Sequence, residues 1–312
     1  MDTNLTLEEK LAKRLCKDYS LPIQIFKEPY WSYFINLYNT HYQSVQKVRN
    51  MQNLLEKFKS ANEFLDHNGE ITRAIIDHVK NSKGFSEFSN LNLQEFSFPI
   101  PIRKDNIYIP ENSGKRFIEI DIKKANFVSM RYVVPDIFGN HESYESLVSE
   151  FTDSDYIKTS KYIRQIIFGN LNPKRQQAIQ KGLIDKIMGA LSCNLELQVA
   201  DFVSTSSDEL TLVFKEDLLD NIVETLQKEF GSLSCNFRVH DFELRRIGKT
   251  SYYVKQFKDP NNFDIKLVPS KIFAQAYKFY VGDLVTESDL YFWEESTKQT
   301  ARFASPINFY YS

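Results

Sequence analysis

Cysteine is scarce in this 312-residue chain, and the three present, Cys16, Cys193 and Cys235, show no CxxC spacing. An odd, scattered set supports neither a disulfide framework nor a zinc site and suits a reducing compartment. Histidine is equally thin, with five residues and no HExxH or paired arrangement, so zinc chemistry is not expected. No apolar run reaches the roughly 18 residues that a membrane-spanning helix needs. The opening MDTNLTLEEKLAKRL mixes acids and bases without an apolar stretch, unlike a secretory leader, so a cytoplasmic protein without a membrane partner is expected. Glycine is sparse at 10 residues, and neither an internal repeat nor a low-complexity tract is visible.

Aromatic residues are abundant, with 25 Phe and 17 Tyr. Hydrophobic content of 42% beside 26% charged residues describes an ordinary folded protein with room for two or three modules. The net charge is −2, but the charge is unevenly spread. Arg245, Arg246, Lys249, Lys255, Lys258, Lys266, Lys271 and Lys278 face only Asp259 and Asp264 within their segment, while residues 142–155 hold five acids and no Lys or Arg. A basic stretch with interleaved aromatics suits a nucleic-acid backbone; its alternative is a Lys-studded surface over an aromatic core.

Two strings stand out. In Phe117–Phe127, Ile118, Ile120 and Ile122 alternate with Glu119 and Asp121, the pattern of a half-buried strand that turns Asp121 away from the core. In Val203–Phe214, two strands flank a Ser-Ser-Asp-Glu tip carrying Asp208 and Glu209. Hard-cation ligands from two adjacent strands can share a pair of ions about 3.5–4 Å apart, as in-line phosphoryl transfer requires. Taken singly, each site also reads as a solvated turn or a surface carboxylate.

Along the chain, residues 1–98 read as a helical region. A capping box of Thr6 and Glu9 precedes Leu7–Cys16, one helix is expected over Gln43–His67 and another over Glu70–Lys80, and the patch of Tyr30, Trp31, Tyr33, Phe34 and Tyr38 reads as core. Phe98-Pro99-Ile100-Pro101 is expected to be an extended connector, followed by a hairpin of Ile107–Ile109 with Lys115–Ile122. Residues 135–170 read as an insertion. A helix capped by Asn172 runs from Pro173 to about Leu191, with Lys174, Gln177 and Lys181 on one face that could meet a triphosphate or simply water. Gln198–Ser204 is expected as a buried central strand, then come a helix at Asp217–Phe230 and a strand at Cys235–Leu244. Strand, helix, strand, strand, helix, strand is the split βαβ pattern. The expected fold is therefore α+β: a ferredoxin-like, polymerase-type palm over 99–258, with a helical N-terminal region and a mixed C-terminal extension over 259–312.

Ser207-Asp208-Glu209-Leu210-Thr211-Leu212-Val213-Phe214 resembles the carboxylate hairpin of the tRNA-His guanylyltransferase family, palm enzymes that add nucleotides to an RNA 5′ end. The resemblance implies Asp121 and Asp208 as carboxylate ligands of two magnesium ions and the main-chain carbonyl of Ile122 as a further ligand. Ser207 and Glu209 would support them near a nucleoside triphosphate. The family's Asp-Gly-Arg reads Asp121-Ile122-Lys123 here, with Lys123 in the place of the Arg. The same strings are similar to other palms: Asp-x-x-Lys-x-Asn from Asp121 to Asn126 resembles the first motif of negative-strand RNA virus polymerases. Asn126 stands where reverse transcriptases carry an aromatic, which implies tolerance of a ribose 2′-hydroxyl.

The expected function is magnesium-dependent nucleotide addition to an RNA end, with Asp121, Asp208 and Glu209 catalytic and Lys123, Asn126, Lys174, Lys181 and Ser207 at the nucleotide. Arg245, Arg246, Lys249, Tyr252, Tyr253 and Lys255 would contact nucleic acid. A 5′-to-3′ template-dependent or reverse-transcriptase-like enzyme and a non-catalytic nucleic-acid-binding protein on a decayed palm remain alternatives. Assembly with further copies of the chain stays open.

Overall fold

A computed structural model describes residues 6–96 and 107–310. The expected connector at Phe98–Pro101 lies outside those residues. In chain order the first helices are α1 (Leu7–Asp18), α2 (Tyr30–Leu37), α3 (Asn39–Tyr42), α4 (Ser44–Leu55), α5 (Ala61–Lys80) and α6 (Lys83–Asn90). Strand β1 (Arg116–Ile122) is followed by α7 (Ala125–Val133), α8 (Tyr144–Ser149), α9 (Asp155–Thr159), α10 (Lys161–Gly169) and α11 (Pro173–Leu195). Then come β2 (Phe202–Thr205), β3 (Glu209–Val213), α12 (Leu218–Phe230), β4 (Phe237–Arg246), β5 (Tyr253–Phe257) and β6 (Phe263–Lys266). Helix α13 (Phe273–Val281) and the hairpin β7 (Tyr291–Glu294) and β8 (Gln299–Arg302) complete the described chain.

The fold is mixed α+β, with a six-stranded antiparallel sheet in the order β2-β3-β1-β4-β5-β6 and a separate two-stranded sheet of β7 and β8. The chain packs as two units, Met1–Asn68 with Ser160–Tyr162 and Leu244–Ser312, and Gly69–Thr159 with Ile163–Glu243. By this division the helical region splits after residue 68, within α5.

In the second unit, period-two alternation on β1 puts Ile118, Ile120 and Ile122 on one face, where they are at most 2% exposed. They pack with Leu210 and Leu212 of β3, Leu183, Ile184, Ile187 and Leu191 of α11, and Ile222 and Leu226 of α12. Full burial of such side chains contributes roughly 1.5–3 kcal/mol each, which fixes the strand register, because a one-residue slip would expose them all. Helix α11 begins at Pro173 as expected, but Asn172 sits in the left-handed region (φ 59°) and makes no side-chain cap. Its Nδ2 instead donates to Ser89 Oγ at 3.1 Å.

Three further expectations are corrected. Ile107–Ile109 forms no strand; Pro110–Asn112 is a 3₁₀ turn leading straight to β1. Gln198–Ser204 is not a central strand, because Val199–Asp201 is a 3₁₀ turn and β2 lies at the sheet edge. The helix expected over Gln43–His67 is broken at residues 56–60, where Ser60 Oγ accepts from Glu63 N–H (3.1 Å) and Glu63 Oε2 accepts from Lys59 N–H (2.6 Å). That reciprocal pair starts α5 anew. The capping box at Thr6 and Glu9 is present as expected.

In the first unit, the aromatic patch is core: Phe34 and Tyr38 are buried, and Tyr38 meets Phe273 and Tyr277 edge to face. Gly248 makes the turn between β4 and β5 (φ +56°), and a Cβ there would lie 2.0 Å from the Phe309 carbonyl oxygen. Only glycine fits both the left-handed backbone and that approach.

Candidate active site

Asp121 lies near the end of β1 and stands directly across from Glu209 on β3 and Arg238 on β4. Directly opposed residues on antiparallel strands share a face, with Cβ atoms about 4.5–5.5 Å apart. The side chains of Asp121, Glu209 and Arg238 therefore leave the sheet together, away from the isoleucine face. One position further, Ile122 N–H donates to the Asp208 carbonyl at 2.9 Å, which ties the hairpin tip to the end of β1. Two carboxylates remote in sequence, Asp121 and Glu209, thus oppose each other on neighbouring strands, with the backbone of Asp208 beside them in the bend. Side-chain exposure along that face rises from 8% at Glu119 to 22% at Asp121, so the strand end is the open end.

The carboxylates already have partners. Arg238 Nη2 donates to Asp121 Oδ2 at 2.7 Å. Asp208 Oδ1 accepts from the hydroxyls of Ser206 and Ser207, both at 3.2 Å. Deeper on the same face, Glu119 Oε1 lies 3.4 Å from His240 Nε2. Among the described residues, no three His, Cys, Asp or Glu side chains converge to hold a metal ion. The donor set of Asp121, Asp208, Glu209 and the Ile122 carbonyl is all hard oxygen and suits magnesium by type. Of the two Asp121 oxygens, Oδ2 is the one that Arg238 holds.

The turn after β1 carries the remaining candidates. Lys123 is exposed, and its backbone N–H donates to the Asn236 carbonyl at 2.8 Å. Lys124 takes the left-handed conformation (φ 51°) and its ammonium pairs with Glu145. Asn126 is half-buried in the first turn of α7, and its Oδ1 accepts from Gln180 Nε2 of α11 at 2.7 Å. With its oxygen taken, the Asn126 amide has its N–H groups left to offer. Lys174 and Lys181 are exposed on α11, about 10 Å apart along the axis, and Lys181 directly follows Gln180.

The expected nucleic-acid residues begin at the other end of β4 from Arg238. Arg245 and Lys249 are exposed and Tyr252 is half-buried. Arg246 bonds the carbonyls of Thr250 and Lys249, so its guanidinium closes its own turn. Tyr253 and Lys255 are corrected: at 1% and 2% exposure, both are buried and turned away from solvent, where a nucleic acid would lie.

Arg238 and Gln180 escaped sequence reading. Arg238 becomes visible only once the β1–β4 register is known; the signal for Gln180, a polar residue on the buried stripe of α11, was present. No protein-family model, curated protein or solved structure matches the chain. No helix among the described residues is long and apolar enough to cross a membrane.

Proposed function

We propose that the chain is a magnesium-dependent nucleotidyltransferase built on a ferredoxin-like, polymerase-type palm and acting on an RNA end. The observation that carries this reading is the register: Asp121 opposite Glu209, with the Asp208 carbonyl bonded to Ile122 N–H. The strand order β2-β3-β1-β4, with α11 and α12 packed on the isoleucine face, supports the palm reading.

In this reading Asp121 and Asp208, with the Ile122 carbonyl, hold the ions, and Glu209 adds negative charge beside them. Bound magnesium would supply Lewis acidity for in-line attack on the α-phosphate and neutralise the leaving pyrophosphate. Arg238, freed from Asp121, would stay within reach of a triphosphate oxygen as a planar donor. Lys123 and Lys181 would act as point charges, and Ser207 would hold the hairpin tip through Asp208. The Asn126 amide would donate to a ribose hydroxyl while Gln180 fixes its orientation. Of the nucleic-acid segment, Arg245, Lys249 and Tyr252 remain the contacts offered.

The test is incorporation of labelled nucleotide into 5′-phosphorylated RNA and into primed templates. Activity lost in both Asp121→Asn and Asp208→Asn supports the reading, and the preferred substrate separates end addition from conventional 5′-to-3′ polymerisation. Equal activity in wild type and both variants would refute it.

The Arg238–Asp121 ion pair favours a second reading, a nucleic-acid-binding protein on a palm that no longer takes metal. Magnesium titration followed by NMR separates the two, since only a metal-binding site shows shifts that depend on Asp121 and Asp208.

A further inference from the structure

Helix α8 lies within the acidic stretch of residues 142–155. Tyr144, Leu147 and Val148, at i, i+3 and i+4, are fully buried and fix one side of it. Ser143 caps its start, with Oγ accepting from Ser146 N–H at 3.0 Å. With the buried side held, Ser146 and Glu150 stand one turn apart on the exposed side.

His141, in the loop before α8, bridges these two residues. Its Nδ1 lies 2.7 Å from Ser146 Oγ, and its Nε2 lies 2.8 Å from Glu150 Oε1. Counting protons assigns the roles. An ionised carboxylate only accepts, so Nε2 carries the proton that Glu150 receives. When the imidazole is neutral, Nδ1 is then a lone pair, and the Ser146 hydroxyl is the donor. A hydroxyl, a base that accepts from it and a carboxylate that orients the base make up an activated nucleophile. All three side chains are reachable: Ser146 is exposed, and His141 and Glu150 keep 17% and 50% of their side-chain surface open.

We propose that Ser146 is the nucleophile of an acyl-transfer site for neutral carboxylic esters, with His141 as general base and Glu150 as positioning residue. Glu142 and Glu145, the chain neighbours of His141 and Ser146, add to the charge of Glu150 and disfavour an anionic substrate. Ser146 Oγ attacks the ester carbonyl carbon as its proton passes to His141 Nδ1, and the Glu150 carboxylate balances the imidazolium. The C–O bond to the alkoxide breaks, and the alkoxide takes the proton from Nδ1 and leaves as the alcohol. Water then attacks the acyl carbon and gives a proton to Nδ1. The Oγ–C bond breaks, Ser146 recovers the proton and the carboxylic acid departs. The proposal does not depend on the chemistry read at Asp121 and Asp208.

The probe is p-nitrophenyl acetate, added to the full chain with EDTA and without nucleotide. Release of p-nitrophenolate follows the reaction, and peptide mass spectrometry of the acid-quenched protein locates and times the acetyl group. The expected result is acetyl on Ser146, absent from that position in Ser146→Ala. His141→Gln should slow Ser146 acetylation by at least about 100-fold, the lower end of what a general base supplies. Glu150→Gln should slow it by at least about tenfold, and Glu150→Asp, which keeps the carboxylate, should recover most of that loss.

Equal rates in the two Glu150 variants overturn its positioning role. Should His141→Gln lose the fold, the Glu150 variants, made at an exposed side chain, carry the comparison. No acetyl on Ser146, or acetylation that the folded variants leave at the wild-type rate, overturns the proposal and leaves the two contacts as a brace between loop and helix.

Discussion

Arg238 Nη2 lies 2.7 Å from Asp121 Oδ2, joining β4 to β1 on the face opposite the isoleucine core. The pair is half open to solvent, with the arginine side chain 58% exposed and the aspartate 22%. Solvent weakens such a pair, so the arginine balances the carboxylate charge without locking it. An ion held at Asp121, as the proposed function requires, would meet a removable obstacle.

Arg238→Gln should therefore change unfolding free energy by less than about 1 kcal/mol, measured by urea titration. The same substitution should tighten manganese binding, used as a paramagnetic stand-in for magnesium, by up to about fivefold. Weaker binding in this variant would mean that Arg238 supports the site rather than competes for it.

Asp185 makes stability depend on pH. Its folded pKa is raised by burial above the ordinary value of 3.8. A raised folded pKa gives a contribution present in full below the unfolded value and lost as pH rises through the folded one. Asp185→Asn should thus gain stability relative to wild type at neutral pH, and the difference should shrink as pH falls towards 3.8. Parallel pH profiles for the two proteins would show that the carboxyl does not titrate differently on folding.

In the first unit, Lys278 Nζ and Asp289 Oδ2 form a buried pair at 2.8 Å, with side chains 8% and 0% exposed. Tyr33 also donates to Asp289 Oδ1 at 2.8 Å. Lys278→Met leaves the carboxylate without its cation and should cost about 3–5 kcal/mol by chemical denaturation. Burial opposes the lysine charge, but its bonds to Asp289 and Tyr33 outweigh burial and raise its pKa above 10.5. The pair's contribution should accordingly hold through neutral pH and fade only above the ordinary lysine range.

Gly248→Ala should destabilise the chain by at least about 2 kcal/mol, since both a left-handed backbone and a backbone clash with Phe309 must be relieved. Gly114→Ala is the matched control: it is also left-handed (φ +83°), but a Cβ there meets nothing within 4 Å. The difference in melting temperature between the two variants isolates the close approach.

What could be read in advance follows from how local each signal is. Strands β1 and β3 and helices α11 and α12 declared themselves because their apolar periodicity is contained in each segment. The break before α5 was also legible, since Ser60 and Glu63 have the spacing of a capping box, but the apolar residues on either side mimic one continuous helix. The edge position of β2 was not legible, because the turn at Val199–Asp201 is set by the reciprocal bonds of Gln198 and Asp201. At the candidate site, Asp121, Asp208 and Glu209 stood out by residue type and alternation. Arg238 depends on pairing between segments 117 residues apart, and Asp185 is hidden in the apolar stripe of α11. The association of Met1–Asn68 with Leu244–Ser312 has no local signature at all.

Strand β1 has a hydrogen-bonded neighbour on each side, whereas residues 206–208 form the bend between an edge strand and its partner. Asp121 thus sits on a strand held from both sides, and Asp208 in a bend where the Ser206 and Ser207 hydroxyls donate to its carboxylate. Substitution at those two serines would remove bonds to the Asp208 carboxylate while the buried isoleucines stay untouched. In a descendant of this chain, variation would be tolerated first at the bend.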